Sequence, residues 1–355
     1  MKTLFKKGHK VFSNEYRIGY ELEVCILTNN NQPNPINKKI LEEIDSPLFT
    51  NELAKYDIEI NGHVFALDTG APKALNHDLM SLWGQAQNAA RKFDAKIGLF
   101  GVLPSLKLEH FNKELYQSDM HRYTLVSQRM KELRHESVKI LFHGEDEVSL
   151  KKDDVMFEAL GTSLQVHLQI PFDQAVEYYH ASLLASVILV GFGANSPLVL
   201  GKRAWHESRI TIFEQSVDTR NKERREQGEE KRVHFAHGYI DSWLELFEQN
   251  KMFKIIFADV REQQESSLHH FNLHNGTIWR WIRPILGKDK DDKHTLRLEL
   301  RVLPSGPTLI DTEVNIWFFI GLIHGLVQSK IDLKKIPFET VKDDFYSVAK
   351  TGLQT

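Results

Sequence analysis

The sequence predicts a mixed fold in which helices pack on one face of a β-sheet and the other face meets water. Two observations carry this prediction. Stretches of alternating apolar and polar residues, typical of strands with one buried face, recur along the chain. Between them lie longer stretches with apolar residues at helical spacing.

Four stretches alternate clearly enough to be strands, namely residues 18–26, 56–65, 160–170 and 295–303. A fifth strand candidate, residues 97–103, is apolar throughout and is therefore expected to be buried. Helices are predicted at residues 73–96, 112–134, 173–191 and 311–328. The chain contains no internal repeat and no low-complexity linker, so we expect a single domain over residues 1–355.

The composition is that of an ordinary soluble globular protein, with 355 residues, of which 41% are hydrophobic and 26% charged. The net charge of −3 provides no basic field that favours nucleic acid or anionic membranes. The longest apolar stretch, residues 316–327, is too short to span a bilayer, and residues 1–10 lack the apolar run of a signal peptide. The single cysteine, Cys25, excludes an intramolecular disulfide. We therefore expect a cytoplasmic protein, with neither nucleic acid nor a membrane as partner.

The polar faces of the four alternating strands share one chemistry. They carry Glu21 and Glu23, then Glu59 and Asn61, then Gln165 and His167, then Arg297, Glu299 and Arg301. Carboxylates this close repel one another unless a cation lies between them, and their oxygens suit hard ions such as Mg²⁺. Arginine can bind phosphate oxygens in a forked geometry, so the set suits phosphoryl transfer. No Gly-x-x-x-x-Gly-Lys motif is present, which excludes an ordinary P-loop enzyme. The alternative is a sheet whose glutamates and arginines only pair across strands.

The order of these motifs resembles the glutamate–cysteine ligase type 2 family, the carboxylate–amine ligases of the glutamine-synthetase superfamily. The resemblance extends from Gly19 to about Val327. It rests on seven pieces in the expected order: Gly19 to Glu23, Glu59 to Asn61, Arg122-Tyr123, Gly161 to His167, Ala194 to Pro197 followed by Ser208-Arg209, His274 to Thr277 followed by Arg283-Pro284, and Glu299 to Arg301.

This resemblance implies an α+β fold with a curved, mostly antiparallel β-sheet and helices on one face, like a glutamine-synthetase catalytic domain. It implies ATP and Mg²⁺ as cofactors, and small amino acids and amines as substrates. The implied metal ligands are Glu21, Glu23, Glu59, His167 and Glu299. Arg209 and Arg301 are the implied catalytic residues, and the nucleotide contacts are expected from Arg283, Arg297, Arg301 and Asn195.

The implied reaction converts a carboxylate into an acyl phosphate, which an amine then converts into an amide; glutamate and cysteine are candidate substrates. Many members of the family carry a histidine pair in the third strand, where this chain has Gln165 and His167. Two other functions stay open: a phosphotransferase acting on a carboxylate or guanidino group, and a catalytically silent nucleotide-binding protein. Homo-oligomerisation is also left open.

The densely charged residues 218–232 lack any apolar periodicity. This pattern is typical of a solvated loop, and a mobile segment over the active site is the alternative. We expect a mobile segment near the site rather than part of the core.

Overall fold

A curved antiparallel sheet lies at the centre of the structure, a computed structural model that describes residues 1–257 and 268–354. The strands in the described residues are β1 Arg17–Thr28, β2 Phe49–Asn51, β3 Asp57–Asn61, β4 Phe65–Ala66, β5 Ala95–Gly98, β6 Val138–His143, β7 Glu147–Lys152, β8 Ser163–Ile170, β9 Leu198–Val199, β10 Lys202–Arg203, β11 Ile282–Lys288 and β12 His294–Pro304. Eight of them form the main sheet, in the order β11-β12-β8-β1-β3-β2, with β4 and β5 also paired to β1.

The long strand β1 explains why the sheet curves. One edge of β1 pairs with β8, while different segments of the strand pair with β4, β3 and β5 along its length. Every pairing within the main sheet is antiparallel. The four strands predicted from alternation are β1, β3, β8 and β12, and the predicted curved, mostly antiparallel sheet is confirmed.

Helices cover the apolar face of this sheet. The helices in the described residues are α1 Lys2–Lys7, α2 Asn37–Ile44, α3 Ala71–Arg91, α4 Lys113–Tyr116, α5 His121–Arg134, α6 Ala175–Phe192, α7 Ser208–Ser216, α8 Lys222–Glu226, α9 Trp243–Gln249, α10 His269–Asn275, α11 Leu309–Gln328 and α12 Phe338–Thr351. Long helices α3, α6 and α11 pack with the inward side chains of the strands, among them the fully buried Ile18, Leu22 and Leu298. Burial of this face fixes the register, because a slip of one residue would turn the apolar set outward.

The opposite face of the sheet is less open to water than expected. Helix α7 and the β6–β7 hairpin pack together beside the 3₁₀ turn Met156–Leu160, and Phe213 of α7 lines a cavity over the polar strand faces. As a result, His167 and Glu299 are only 7% and 2% exposed. The hairpin, β11 and α12 have no counterpart among the predicted elements, although α12 places Val341, Phe345 and Ala349 at helical spacing on its buried face.

Ion pairs and hydrogen bonds connect the charged residues 218–232 to the rest of the protein. Arg224 forms an ion pair with Glu229, and Arg225 forms another with Glu136 at the end of α5. At the end of the segment, Arg232 is 1% exposed and donates a hydrogen bond to the Thr277 carbonyl at 2.9 Å. Side-chain pairing thus ties the two ends of the segment to the protein, and its mobility stays a prediction.

Two helical segments, Phe172–Phe192 and Leu309–Gln328, are long and apolar enough to cross a membrane by length and composition alone. The first is 67% buried within the protein and the second 33%. The expectation that residues 316–327 are too short to span a bilayer does not hold for the whole helix, which has 20 residues. Burial of the first segment is what a core helix shows.

Gly62 provides a test of how tightly β1 and β3 are joined. A Cβ atom at Gly62 would lie 2.2 Å from the ring of Tyr20, and that ring is held by a 2.9 Å hydrogen bond from its hydroxyl to Asp78. Gly62→Ala should therefore lower the free energy of unfolding by about 1–3 kcal/mol through overpacking. Gly321→Ala is the matched control, since an added Cβ in this helix meets no atom within 4 Å. It should stabilise the protein by up to about 1 kcal/mol. Urea unfolding measures both, and equal effects would contradict the proposed close packing.

Candidate functional site

The strand register brings the predicted polar residues side by side on one face. Glu23 lies opposite Glu59, and Glu21 lies between Asn61 on β3 and Gln165 on β8. His167 is the partner of Glu299 on β12. Alternation along each strand and this register together place the carboxylates, His167 and Gln165 on one continuous surface.

A positively charged zone surrounds Glu299. The Arg283 Nη1 atom lies 3.4 Å from Glu299 Oε1, and Arg301 forms a second ion pair with the same oxygen. Burial raises the pKa of Glu299, but Arg283 and Arg301 outweigh it and hold that pKa at about 2. Arg301 also donates a hydrogen bond to Gln165. Gln165 thus orients a neighbouring arginine.

Glu21 and His167 form the link between the two ends of the surface. The His167 Nε2 atom lies 2.9 Å from Glu21 Oε1. Burial raises the pKa of Glu21, yet the adjacent imidazole outweighs burial and the pKa is lowered overall. His167 Nδ1 has no hydrogen-bond partner in the part of the chain that the structure describes. A buried imidazole nitrogen without a partner is available to a ligand.

A negatively charged zone lies on the other side of Glu21. One carboxylate oxygen each from Glu23, Glu52 and Glu59 lies within 4.8 Å of the others. Burial and the Glu59 charge raise the pKa of Glu23 to about 7, and burial, Glu59 and Glu23 raise that of Glu52 well above its usual value. Glu23 is oriented by hydrogen bonds from the Ser163 amide at 2.6 Å and the Ser163 hydroxyl at 2.9 Å.

Both charged zones open into one cavity of about 610 Å³. Its polar wall includes Glu21, Glu23, Glu52, Glu59, Glu158, Glu299, Arg122, Arg283 and Arg301, and its apolar wall includes Val126, Met130, Phe213 and Trp279. A second cavity of about 210 Å³ begins on the other side of Glu21 and is lined by His167, Gln169 and Arg297. A volume of several hundred cubic ångströms is typical of small-molecule sites.

The comparisons with known proteins identify the family of the chain. The sequence profile of glutamate–cysteine ligase family 2 (GCS2) matches residues 17–333. The chain belongs to glutamate–cysteine ligase family 2. A comparison with curated proteins gives no match.

Solved structures of similar shape include the glutamate–cysteine ligase (gshA) of Francisella tularensis in complex with AMP. The TM-score is 0.56 at 12% identity, over 97% of this chain and 72% of that chain. A bifunctional glutathione synthetase from Pasteurella multocida gives a TM-score of 0.49 at 10% identity, over 95% of this chain and 42% of that chain. At this level of identity the first of these likenesses shows a shared fold, and the fold is the α+β arrangement expected from the sequence.

The structure divides the predicted ligands of this family member into groups. Of the five residues proposed to bind metal, Glu23 and Glu59 meet in the carboxylate cluster, Glu21 and His167 meet beside it, and Glu299 lies with the arginines. Arg283 and Arg301 line the large cavity, whereas Arg297 lines the smaller one.

Asn195 and Arg209 make many of their polar contacts within the protein. The Asn195 side chain donates a hydrogen bond to the Ser305 carbonyl at 2.8 Å, and its amide donates to Glu207. Arg209 is 4% exposed and its guanidinium binds Glu207 and main-chain carbonyls. Arg209 also lines a small cavity together with Glu23, Glu158 and Arg301. The roles expected for Asn195 and Arg209 therefore stay predictions.

Sequence reasoning missed Glu52 and Glu158. Glu52 follows the short strand β2 and Glu158 lies in the 3₁₀ turn Met156–Leu160, so neither belongs to an alternating strand. Burial and the charge of Glu23 raise the pKa of Glu158 to about 7. An acidic residue in a short loop between predicted strands gives a weak signal, because most such residues are solvated.

The raised carboxylate pKa values predict a pH-dependent response to Mg²⁺. A carboxyl whose pKa is raised in the folded protein binds more protons there, so stability is lost as pH rises from about 4.5 to about 7. In chelator, the melting temperature should therefore fall between pH 5.5 and 8. Mg²⁺ should restore several degrees at pH 8 and little at pH 5.5, and Glu23→Gln should reduce this difference. Thermal unfolding measures the effect, and identical profiles with and without Mg²⁺ would contradict a cation site.

Proposed function

We propose that the protein is an ATP- and Mg²⁺-dependent carboxylate–amine ligase, with glutamate as the acid and cysteine as the first amine to test. The observation that carries the proposal is the adjacency of two zones in one cavity: the Glu23–Glu52–Glu59 cluster and the Arg283–Glu299–Arg301 group. Membership of glutamate–cysteine ligase family 2 supports the same reaction class.

The carboxylate cluster fits a hard divalent cation. Three carboxylate oxygens within 4.8 Å of one another match the oxygen ligands that Mg²⁺ takes. Burial and the charges of neighbouring carboxylates raise the pKa values of Glu23 and Glu52, and a bound cation would relieve this crowding of negative charge. Glu21 and His167 are paired beside this cluster and would contribute ligands to a further cation. A bound divalent cation would neutralise phosphate charge and align the phosphoryl group with the attacking carboxylate.

The arginines supply the complementary chemistry. Arg283 and Arg301 converge on Glu299, and this carboxylate keeps both guanidinium groups near the large cavity. Guanidinium groups in a partly dry cavity stabilise the charge that develops on a transferred phosphoryl group. We assign Arg301 to this role and Arg283 to binding of the phosphate chain. Arg297, in the smaller cavity beside His167, is proposed to contact the nucleotide phosphates from the opposite side of Glu21.

The remaining wall of the large cavity supports an amino acid as the second substrate. Arg122 offers a positive charge and Glu158 a negative one, with Tyr123 and Trp279 as aromatic surfaces nearby. A carboxylate and an ammonium group on one small molecule would satisfy both charges. We place the reaction in the cytoplasm, where the nucleotide and amino acids are available.

An ADP-release assay across a panel of amines tests the proposal. With Mg·ATP and glutamate, the protein should release ADP only when an amine is present, and mass spectrometry should find the amide. Glu23→Gln should reduce the rate by at least about 10²-fold, since it removes one ligand from the cluster. Glu147→Gln is the matched control, because this carboxylate lies on the exposed β6–β7 hairpin. ADP release without an amine would favour the phosphotransferase, and binding of ATP without turnover would favour the silent protein.

A further inference from the structure

The strand that carries Arg301 is irregular at that residue. The pairing of β12 with β8 shifts register between Leu300 and Leu303, so Arg301 and Val302 lie in a β-bulge. A bulge interrupts the ladder, and its main-chain carbonyls need partners from outside the sheet when they are buried. Val302 is fully buried, so water cannot meet this need.

Arg209 supplies those partners. Its Nη2 atom donates to the Arg301 carbonyl at 3.0 Å and to the Val302 carbonyl at 2.5 Å. One guanidinium nitrogen therefore binds both consecutive carbonyls of the bulge. Bulges re-aim the side chains they carry, and here the re-aimed side chain is Arg301, which reaches Glu299, Gln165 and the large cavity.

Arg209 is itself fixed on three sides. Its Nε atom lies 3.2 Å from an oxygen of Glu207, and its guanidinium lies 5.4 Å from the centre of the Trp281 ring. The Trp281 indole nitrogen donates to Glu214 at 2.9 Å. On another side, a Cβ atom at Gly161 would lie only 2.7 Å from Arg209 Cγ. This contact gives a physical reason for a glycine just before β8.

We infer that Arg209 is a positioning residue that holds the Arg301 bulge, and that it does not bind the substrate. The inference rests on the proposed function in one respect, namely that Arg301 acts on the phosphoryl group. A lysine cannot replace Arg209, because a single ammonium group cannot keep both the Glu207 contact and the two carbonyl contacts in one plane. We call the two hydrogen bonds from Arg209 to the Arg301 and Val302 carbonyls the clamp. Loss of the clamp should leave the Arg301 side chain present but no longer directed into the large cavity.

A double-mutant cycle with Arg301 tests this inference. Arg301→Lys, Arg209→Lys and the double variant are compared for kcat, KM for the acid and affinity for Mg·ATP by calorimetry. Gly161→Ala displaces the Arg209 stem while keeping its charge, and it serves if Arg209→Lys does not fold. The matched control is Arg134→Lys, because Arg134 is another buried arginine that donates to two main-chain carbonyls, those of Glu136 and Asp218.

Each single variant at Arg301, Arg209 or Gly161 should lower kcat about 10-fold or more with the KM for the acid within about twofold. The double variant should be no slower than Arg301→Lys alone, because both changes remove the same contact of Arg301 with the substrate phosphoryl group. Hydrogen exchange should increase at residues 299–303 in Arg209→Lys and not in Arg134→Lys. Additive losses of kcat, or a raised KM for the acid with unchanged exchange, would overturn the inference.

The role of Arg301 in the reaction and the contact of Arg209 with the bulge are tested by separate measurements. If Arg301→Lys has wild-type kinetics, the role of Arg301 in the proposed function is wrong. Hydrogen exchange then still decides whether Arg209 holds the bulge. Unchanged exchange at residues 299–303 in both Arg209→Lys and Gly161→Ala would show that the clamp does not exist.

Discussion

Repulsion among half-buried carboxylates is the constraint on which the rest of this structure depends. Burial and the charges of neighbouring glutamates raise the pKa of Glu23, Glu52 and Glu59 alike. A chain free to relax would separate them. They stay together because Glu23 and Glu59 alternate with fully buried residues such as Leu22, Val24 and Ile58. Burial of the apolar face thus supplies the free energy that keeps the polar face under strain.

The polar face of this one sheet carries opposite electrostatic conditions on different strands. The pKa of Glu23 is raised to about 7, whereas the pKa of Glu299 is held at about 2. The difference comes from neighbours, since Glu23 lies beside Glu59 whereas Glu299 is flanked by arginines. One side of the cavity is therefore suited to cations and the other to phosphate oxygens. Such a division is what a reaction between a carboxylate and a nucleotide phosphate requires.

Much of the fold could be predicted from the sequence, since alternation identified β1, β3, β8 and β12 and separated their two faces. The polar residues that lie on these strands were found for the same reason. Alternation says nothing about which strands are neighbours, and the antiparallel pairing came only through the family resemblance. Glu52 and Glu158 were missed because they lie in turns, where position along the chain does not indicate direction.

Asn195 and Arg209 show what residue type and motif order leave undetermined. Their residue types suit ligand binding, and their place in the motif order suggested it. A sequence does not show which main-chain carbonyls are left without partners, and the bulge at Arg301 creates such carbonyls. Arg209 is therefore tied to the site through the main chain of the residue it positions, which side-chain chemistry alone could not indicate.

The central claim is that the crowded carboxylates form a cation site. Electron paramagnetic resonance of Mn²⁺, used in place of Mg²⁺, tests it most directly, because free and protein-bound ions are counted separately. We expect the wild type to bind Mn²⁺ without nucleotide, and Glu52→Gln to bind at least one ion fewer or about 10-fold more weakly with its fold intact. Absence of bound Mn²⁺ in the wild type, or equal binding by Glu52→Gln, would contradict the claim.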